Sequence, residues 1–151
     1  MPTRRASATW EGGLKGGKGH FDGESGAIRG SYSFGSRFAE EKGTNPEELL
    51  AAAEAACFSM ALSAGLEKNG TPATRVQTGA SCTVEKVGEG FKITTMKLEV
   101  TAAVPNIDDA KFQEIAQATK KGCPVSVALA GVDIQLTAKL QGSGQPATAG
   151  R

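Results

Sequence analysis

Residues 43–70, GTNPEELLAAAEAACFSMALSAGLEKNG, constrain the fold more than any other stretch. Pro46 suits the first position of a helix, where its missing N–H goes unused. Asn45 then stands as the cap, and Glu48 three residues on completes a capping-box pattern. Glu47 and Glu48 bring negative charge to the positive end of the helix dipole. Lys68 falls in the last turn, and Asn69-Gly70 offers a left-handed stop. Between these ends Leu49, Leu50, Ala53, Ala56, Cys57, Met60, Ala61 and Ala64 recur at helical spacing. The segment is Ala-rich and apolar around most of its circumference, which is the mark of a buried helix. The spacing predicts a long central helix whose small side chains let neighbouring backbone come close.

Around this helix the chain reads as strands and shorter helices. Residues 6–11 carry Thr9 and Trp10, which favour extended backbone, and Gly12-Gly13 and Gly16-Gly17 mark turns. Residues 19–38 are weakly patterned and are expected to hold further short strands. After the helix, Val76, Thr78, Ala80, Cys82 and Val84 alternate with polar residues as a half-buried strand. Val87-Gly88-Glu89-Gly90 closes a hairpin onto residues 91–104, whose alternation changes phase near Met96-Lys97, where a bulge is expected. A second helix comes next, with Ile107 as staple, Asp108 as cap, Phe112, Ile115, Ala116 and Thr119 at helical spacing, and Gly122 as stop. Cys123-Pro124 starts another helix, and Val132, Ile134, Leu136, Ala138 and Leu140 alternate as a last strand. The order predicts an α+β protein, its helices packed on a mostly antiparallel sheet. Residues 1–141 are read as a single domain, and the Gly, Pro, Ser and Ala of residues 142–151 as a disordered tail.

Charge and composition remove several classes of function. Seventeen basic and 16 acidic residues leave a net charge of +1 in 151 residues, which offers no electrostatic case for nucleic acid or an anionic membrane. No apolar run comes near 18 residues, so no membrane span is expected. The opening MPTRRASATWEGG has charge but no apolar centre, so a secretory signal is not expected there. Three scattered cysteines do not make a disulfide scaffold, and the lone His20 makes a His-rich metal site or a Cys-His pair hard to build. A cytoplasmic domain is expected, with its cysteines in question.

Cys57 lies about three turns inside the long helix, where cysteine commonly serves as a small hydrophobe. Cys123 stands between a helix-ending Gly and a helix-starting Pro, so its sulfur is expected to face unpaired backbone N–H groups, a setting that favours thiolate. Cys82 falls on the apolar face of a strand. Arg37, between Phe34 and Phe38 in a loop-like stretch, is either an exposed charge or a cation beside an apolar pocket. The cap needs Glu48 but not Glu47, which leaves Glu47 available for another role. His20, among glycines, reads as a surface residue.

The string GTNPEELLAAAEAACFSMAL, with GCPVS at residues 122–126, resembles the OsmC/Ohr family of peroxidases. WEG at residues 10–12, GKG at 17–19, ESG at 24–26 and the run from FGSRF to NPEELL are closer to its OsmC branch than to its Ohr branch. The likeness spans residues 8–140. It implies a thiol-dependent peroxidase of organic hydroperoxides and hydrogen peroxide in oxidative-stress defence, without metal or prosthetic group. By position it makes Cys57 the peroxidatic cysteine, Cys123 the resolving one, Arg37 the activating arginine and Glu47 the carboxylate that orients it. It also implies an intertwined homodimer with a reactive pocket at the subunit interface. Cys82 and His20 match no catalytic position.

The chemistry of the residues fits these roles. Cys57 is too far from the helix start for the dipole to ionise it, so a cation must do so, and arginine stays charged in an apolar pocket. Phe34, Phe38, Phe58 and Met60 would receive the alkyl part of a hydroperoxide. Glu47 would fix the guanidinium by a bidentate pair. A dithiol, with lipoyl compounds among the candidates, would return the oxidised enzyme to its thiols. The rival reading is a non-catalytic scaffold or apolar-ligand binder whose cysteines only fill the core.

Overall fold

A computed structural model describes residues 1–141, so the expectation for residues 142–151 lies outside the described residues. The chain forms two compact units, residues 1–49 and Leu50 onward.

The first unit is an antiparallel sheet of β1 (Ala6–Glu11), β2 (Lys18–Gly23) and β3 (Arg29–Ser33), in that order. Gly19 permits the close approach of Trp10 and Tyr32, whose ring centroids are 5.5 Å apart. A Cβ at Gly19 would come within 2.5 Å of the Tyr32 ring. Phe34–Phe38 is neither strand nor loop but a five-residue helix, α1. The Ser33 hydroxyl accepts from the Ser36 N–H at 3.0 Å, and the Ser36 hydroxyl accepts from the Ser33 N–H at 2.8 Å. This is a capping box built with serine in place of the usual Glu or Gln, which is why the pattern did not announce a helix.

The long helix, α2, covers Pro46–Lys68. Asn45 caps it through Oδ1, which accepts from the Glu48 N–H at 2.8 Å. The reciprocal half of the expected capping box is replaced, because the Glu48 carboxylate accepts from the Thr44 hydroxyl at 2.5 Å. Gly70, at φ +81°, makes the left-handed stop, and the Thr71 N–H donates to the Leu66 carbonyl at 3.0 Å.

The second unit holds β4 (Arg75–Val87), β5 (Gly90–Ala103) and β6 (Asp133–Gln141), with β5 in the middle. Strands β4 and β5 form the expected hairpin around Gly88-Glu89. Its bulge lies earlier than expected: Thr83 faces Thr95 and Val84 faces Ile93, leaving Thr94 as the extra residue. That insertion turns Met96, Leu98, Val100 and Ala102 inward. The β5–β6 pairing is parallel, so this sheet is only partly antiparallel. A parallel pairing needs a crossover of a dozen or more residues, and α3 (Asp109–Gly122) with α4 (Pro124–Ala128) supplies it. Asp108 caps α3 by accepting from the Lys111 N–H at 2.8 Å.

The core joins Phe58, Leu62 and Leu66 of α2 to the inward side of β5 and to Phe112 and Ala116 of α3. This corrects the expectation of a helix buried all round. Only the stripe Glu54, Phe58, Leu62 and Leu66 is fully buried, while Ala53, Ala56 and Ala64 are exposed and Met60 is 76% exposed. A helix apolar on every side has no preferred face by periodicity; the larger side chains took the interior and the alanines were left outside. By length and composition alone, α2 would also pass for a membrane span, contrary to the count of apolar runs. Its Phe58, Leu62 and Leu66 pack into the protein's own core. Phe58→Ala is expected to destabilise the fold by about 3–5 kcal/mol, as read by urea unfolding.

Candidate active site

Cys123 sits at the break between α3 and α4. Its N–H donates to the Thr119 carbonyl at 2.8 Å, closing α3, and its carbonyl accepts from the Val127 N–H at 2.9 Å, opening α4. Pro124 occupies the first position of α4. The backbone therefore turns as the Gly-Cys-Pro sequence predicts. The side chain does not do what was expected of it, since the Cys123 sulfur makes no cap hydrogen bond. It is fully buried and lies 3.0 Å from the Cys57 sulfur, which is contact between two thiols rather than a bond of about 2.05 Å.

Cys57 is half-buried on α2, and it takes the donor that Cys123 was expected to use. The Val125 N–H, in the first turn of α4, is hydrogen-bonded to the Cys57 thiol. Burial nevertheless pushes the Cys57 thiol above its ordinary range, and the hydrogen bond with Cys123 pushes the same way. The Val125 N–H opposes this rise, while negative charge on Cys123 or Glu54 adds to it.

Glu54 is a site residue that sequence patterns did not single out. It is fully buried one turn before Cys57, and its Oε1 accepts a hydrogen bond from the hydroxyl of buried Ser126. Among the described residues its Oε2 has no hydrogen-bond partner. The signal was available: Glu54 is the only charged residue between Glu48 and Glu67. Apolar periodicity passes over such a residue because it looks only for what is hydrophobic.

In the first unit, Arg37 lies in α1 and grips Glu47. The Arg37 Nε donates to both Glu47 carboxylate oxygens at 3.2 Å, and Nη2 donates to Oε1 at 2.8 Å. Glu47 is only 5% exposed, so its carboxylate is matched by a guanidinium that stays charged. The guanidinium carbon also lies 5.1 Å from the Phe38 ring centroid, and Phe34 and Phe38 pack with centroids 5.1 Å apart. The two first-turn acids thus divide their work: Glu48 belongs to the cap and Glu47 to the arginine.

The structure gathers the suggested pocket residues only in part. Phe34 and Phe38 are together in the first unit, Phe58 is in the core of the second, and Met60 is exposed. Cys82 is half-buried on β4 opposite Met96, and His20 is exposed on β2. A groove of about 600 Å³ between α2 and α3, lined by Ala61, Gly65, Lys68, Lys111 and Ile115, reaches Cys123.

The α+β fold is shared with solved organic hydroperoxide resistance proteins. The structure from Elizabethkingia anophelis aligns with a TM-score of 0.74 at 24% identity, covering 93% of this chain and 98% of that one. OhrB of Bacillus subtilis aligns with a TM-score of 0.66 at 28% identity, covering 91% of this chain and 98% of that one. In sequence, the chain is 49% identical to peroxiredoxin OsmC of Escherichia coli (strain K12) over 127 residues, 83% of this chain and 89% of the relative. The OsmC-like protein family matches residues 39–137, and the chain belongs to that family, within the OsmC/Ohr group.

Proposed function

We propose that this protein is a thiol-dependent peroxidase that reduces organic hydroperoxides, and hydrogen peroxide, as part of oxidative-stress defence. The observation that carries the reading is the 3.0 Å approach of the Cys57 and Cys123 sulfurs. The names of the relatives, a peroxiredoxin and organic hydroperoxide resistance proteins, support the substrate class. In this reading the Cys57 thiolate attacks the O–O bond and releases an alcohol, leaving Cys57 as sulfenic acid. Cys123 then attacks the sulfenic sulfur, water leaves, and a disulfide joins the two residues. A dithiol reopens it by thiol–disulfide exchange. The half-exposed position of Cys57 suits the first attack, and the buried position of Cys123 suits a thiol that meets only its partner.

Burial holds Cys57 toward its protonated form, so turnover at neutral pH calls for a cation. Arg37 is the residue we assign to that task, with Glu47 fixing its guanidinium. Arg37→Ala is expected to lower kcat/KM by about 10²- to 10³-fold, the loss typical of one preorganised donor. Glu47→Ala is expected to cost about tenfold through lost orientation. Phe34 and Phe38, which pack together beside Arg37, are assigned to the alkyl part of the substrate, whereas Phe58, fully buried in the core, is not.

We also assign a homodimer. Exposed Met60, Ala53, Ala56 and Ala64 leave an apolar side of α2 that a second copy would cover. Sedimentation should give a dimer at micromolar concentration, and a 15.5 kDa species would count against it. The deciding experiment is consumption of cumene hydroperoxide with dihydrolipoamide or another dithiol as reductant. Turnover no faster than dithiol alone, with folded protein, would favour the apolar-ligand binder instead.

A further inference from the structure

Two contacts, one helical turn apart, tie α2 to the start of α4. Cys57 meets Cys123, and Glu54 meets Ser126. Residues three apart on a helix are neighbours on one face, so Glu54 stands beside Cys57, and Ser126 lies one turn beyond Cys123. We propose that Glu54 and Ser126 form a positioning clamp for disulfide closure, holding the first turn of α4 against α2 so that Cys123 is delivered to Cys57. The inference rests on the peroxidase reading for its purpose, but the clamp itself is a property of the two thiols.

The five residues of α4 are too few to hold a helix by themselves, so contacts with the rest of the unit must fix it. A single sulfur contact would leave α4 able to pivot, whereas a second contact one turn away removes that freedom. Finally, a fully buried carboxylate is a poor choice for stability alone. One of its oxygens has no partner among the described residues, its charge disfavours the Cys57 thiolate, and an apolar side chain there would be easier to bury. Its presence makes sense if the bond to Ser126 matters more than the cost.

The step it serves is balanced within the protein. Cys57–S–OH and Cys123–S–H give Cys57–S–S–Cys123 and water. The S–O bond breaks and the S–S bond forms. The Cys123 sulfur is oxidised, the Cys57 sulfur is reduced, and the thiol proton leaves with the hydroxyl. Glu54 and Ser126 act on this step through the placement of Cys123.

The test uses the reduced full chain carrying Cys82→Ser, which removes the third thiol from the count, and dithiodipyridine as oxidant. Attack by half-exposed Cys57 releases one thiopyridone, and attack by Cys123 on the mixed disulfide releases the second. Ser126→Ala and Glu54→Ala are expected to slow the second release relative to the first by about tenfold, the effect of losing one charge-assisted hydrogen bond. Glu54→Gln keeps an oxygen that accepts from Ser126, and is expected to recover closure to within about threefold, since a neutral bond is weaker. Circular dichroism establishes that each variant is folded, and Ser126→Ala decides alone if Glu54→Ala does not fold. An unchanged ratio of the two releases in folded Ser126→Ala would overturn the clamp, as would Glu54→Gln closing as slowly as Glu54→Ala. No peroxide enters this assay. Wild type that closes its disulfide but consumes no hydroperoxide would sink the peroxidase reading and leave the clamp standing.

Discussion

Cys57→Ser is expected to remove hydroperoxide consumption altogether, while Cys82→Ser keeps the rate within about twofold of wild type. A serine hydroxyl does not ionise near neutral pH and is a weak nucleophile toward an O–O bond, so no neighbour can rescue it. Cys82 lies on β4, and its loss is expected to be felt as a small change in stability. The assay is peroxide consumption coupled to a dithiol; an inactive Cys82 variant would mean that the wrong sulfur carries the chemistry. The same thiol sets a pH dependence. Because burial in the folded protein holds Cys57 above its ordinary thiol value, iodoacetamide should alkylate it with a midpoint higher than that of the unfolded chain. The linked stability has a fixed sign: it is fully present below the unfolded thiol pKa and is lost as pH rises through the raised folded value.

Cys123→Ser is expected to leave the first oxidation of Cys57 possible and to block closure of the disulfide. After one equivalent of hydroperoxide the wild-type chain should lose about 2 Da, the mass of the two thiol hydrogens, as the disulfide closes. The variant should gain about 16 Da and then about 32 Da as sulfenic acid proceeds to sulfinic acid. Intact mass spectrometry reads both. A serine here can form no disulfide, so normal cycling of the variant with a dithiol would rule out the two-cysteine mechanism. The buried site makes the expectation strong, since the Cys123 sulfur is closed off from solvent and rests against Cys57.

Much of the backbone was legible because its signals are local. Pro46, Asn45 and Gly70 bound α2 through the chemistry of helix ends, and Asp108 does the same for α3. The hairpin around Gly88-Glu89 comes from alternation and a turn glycine. The pairing of Arg37 with Glu47 was expected from the family likeness and from the fact that the cap had no use for Glu47; the ion pair between them is a feature of the fold. The α1 helix was missed because its box is made of two serines, which local pattern does not distinguish from a turn.

Other features depend on which surfaces meet. Residues 104–132 are long enough to return β6 parallel to β5, but only packing of α3 and α4 on the sheet selects that pairing. The buried face of α2 belongs to the same group: a helix apolar on all sides carries no moment to orient it, and the volume available beside β5 put Phe58, Leu62 and Leu66 inside. The donor at the start of α4 was legible as a donor, yet its acceptor is Cys57 rather than Cys123, because a cap serves whichever acceptor tertiary contact brings to it. Sequence alone determined the helix ends and most strand phases, since these depend on the chemistry of a few neighbouring residues, while the family likeness singled out the two sulfurs. Tertiary structure decided the facing of α2, the parallel pairing and the contacts of Glu54 with Ser126 and Cys57 with Cys123. Each of those joins residues separated by many turns of chain, and only the shape of a filled core brings them within reach.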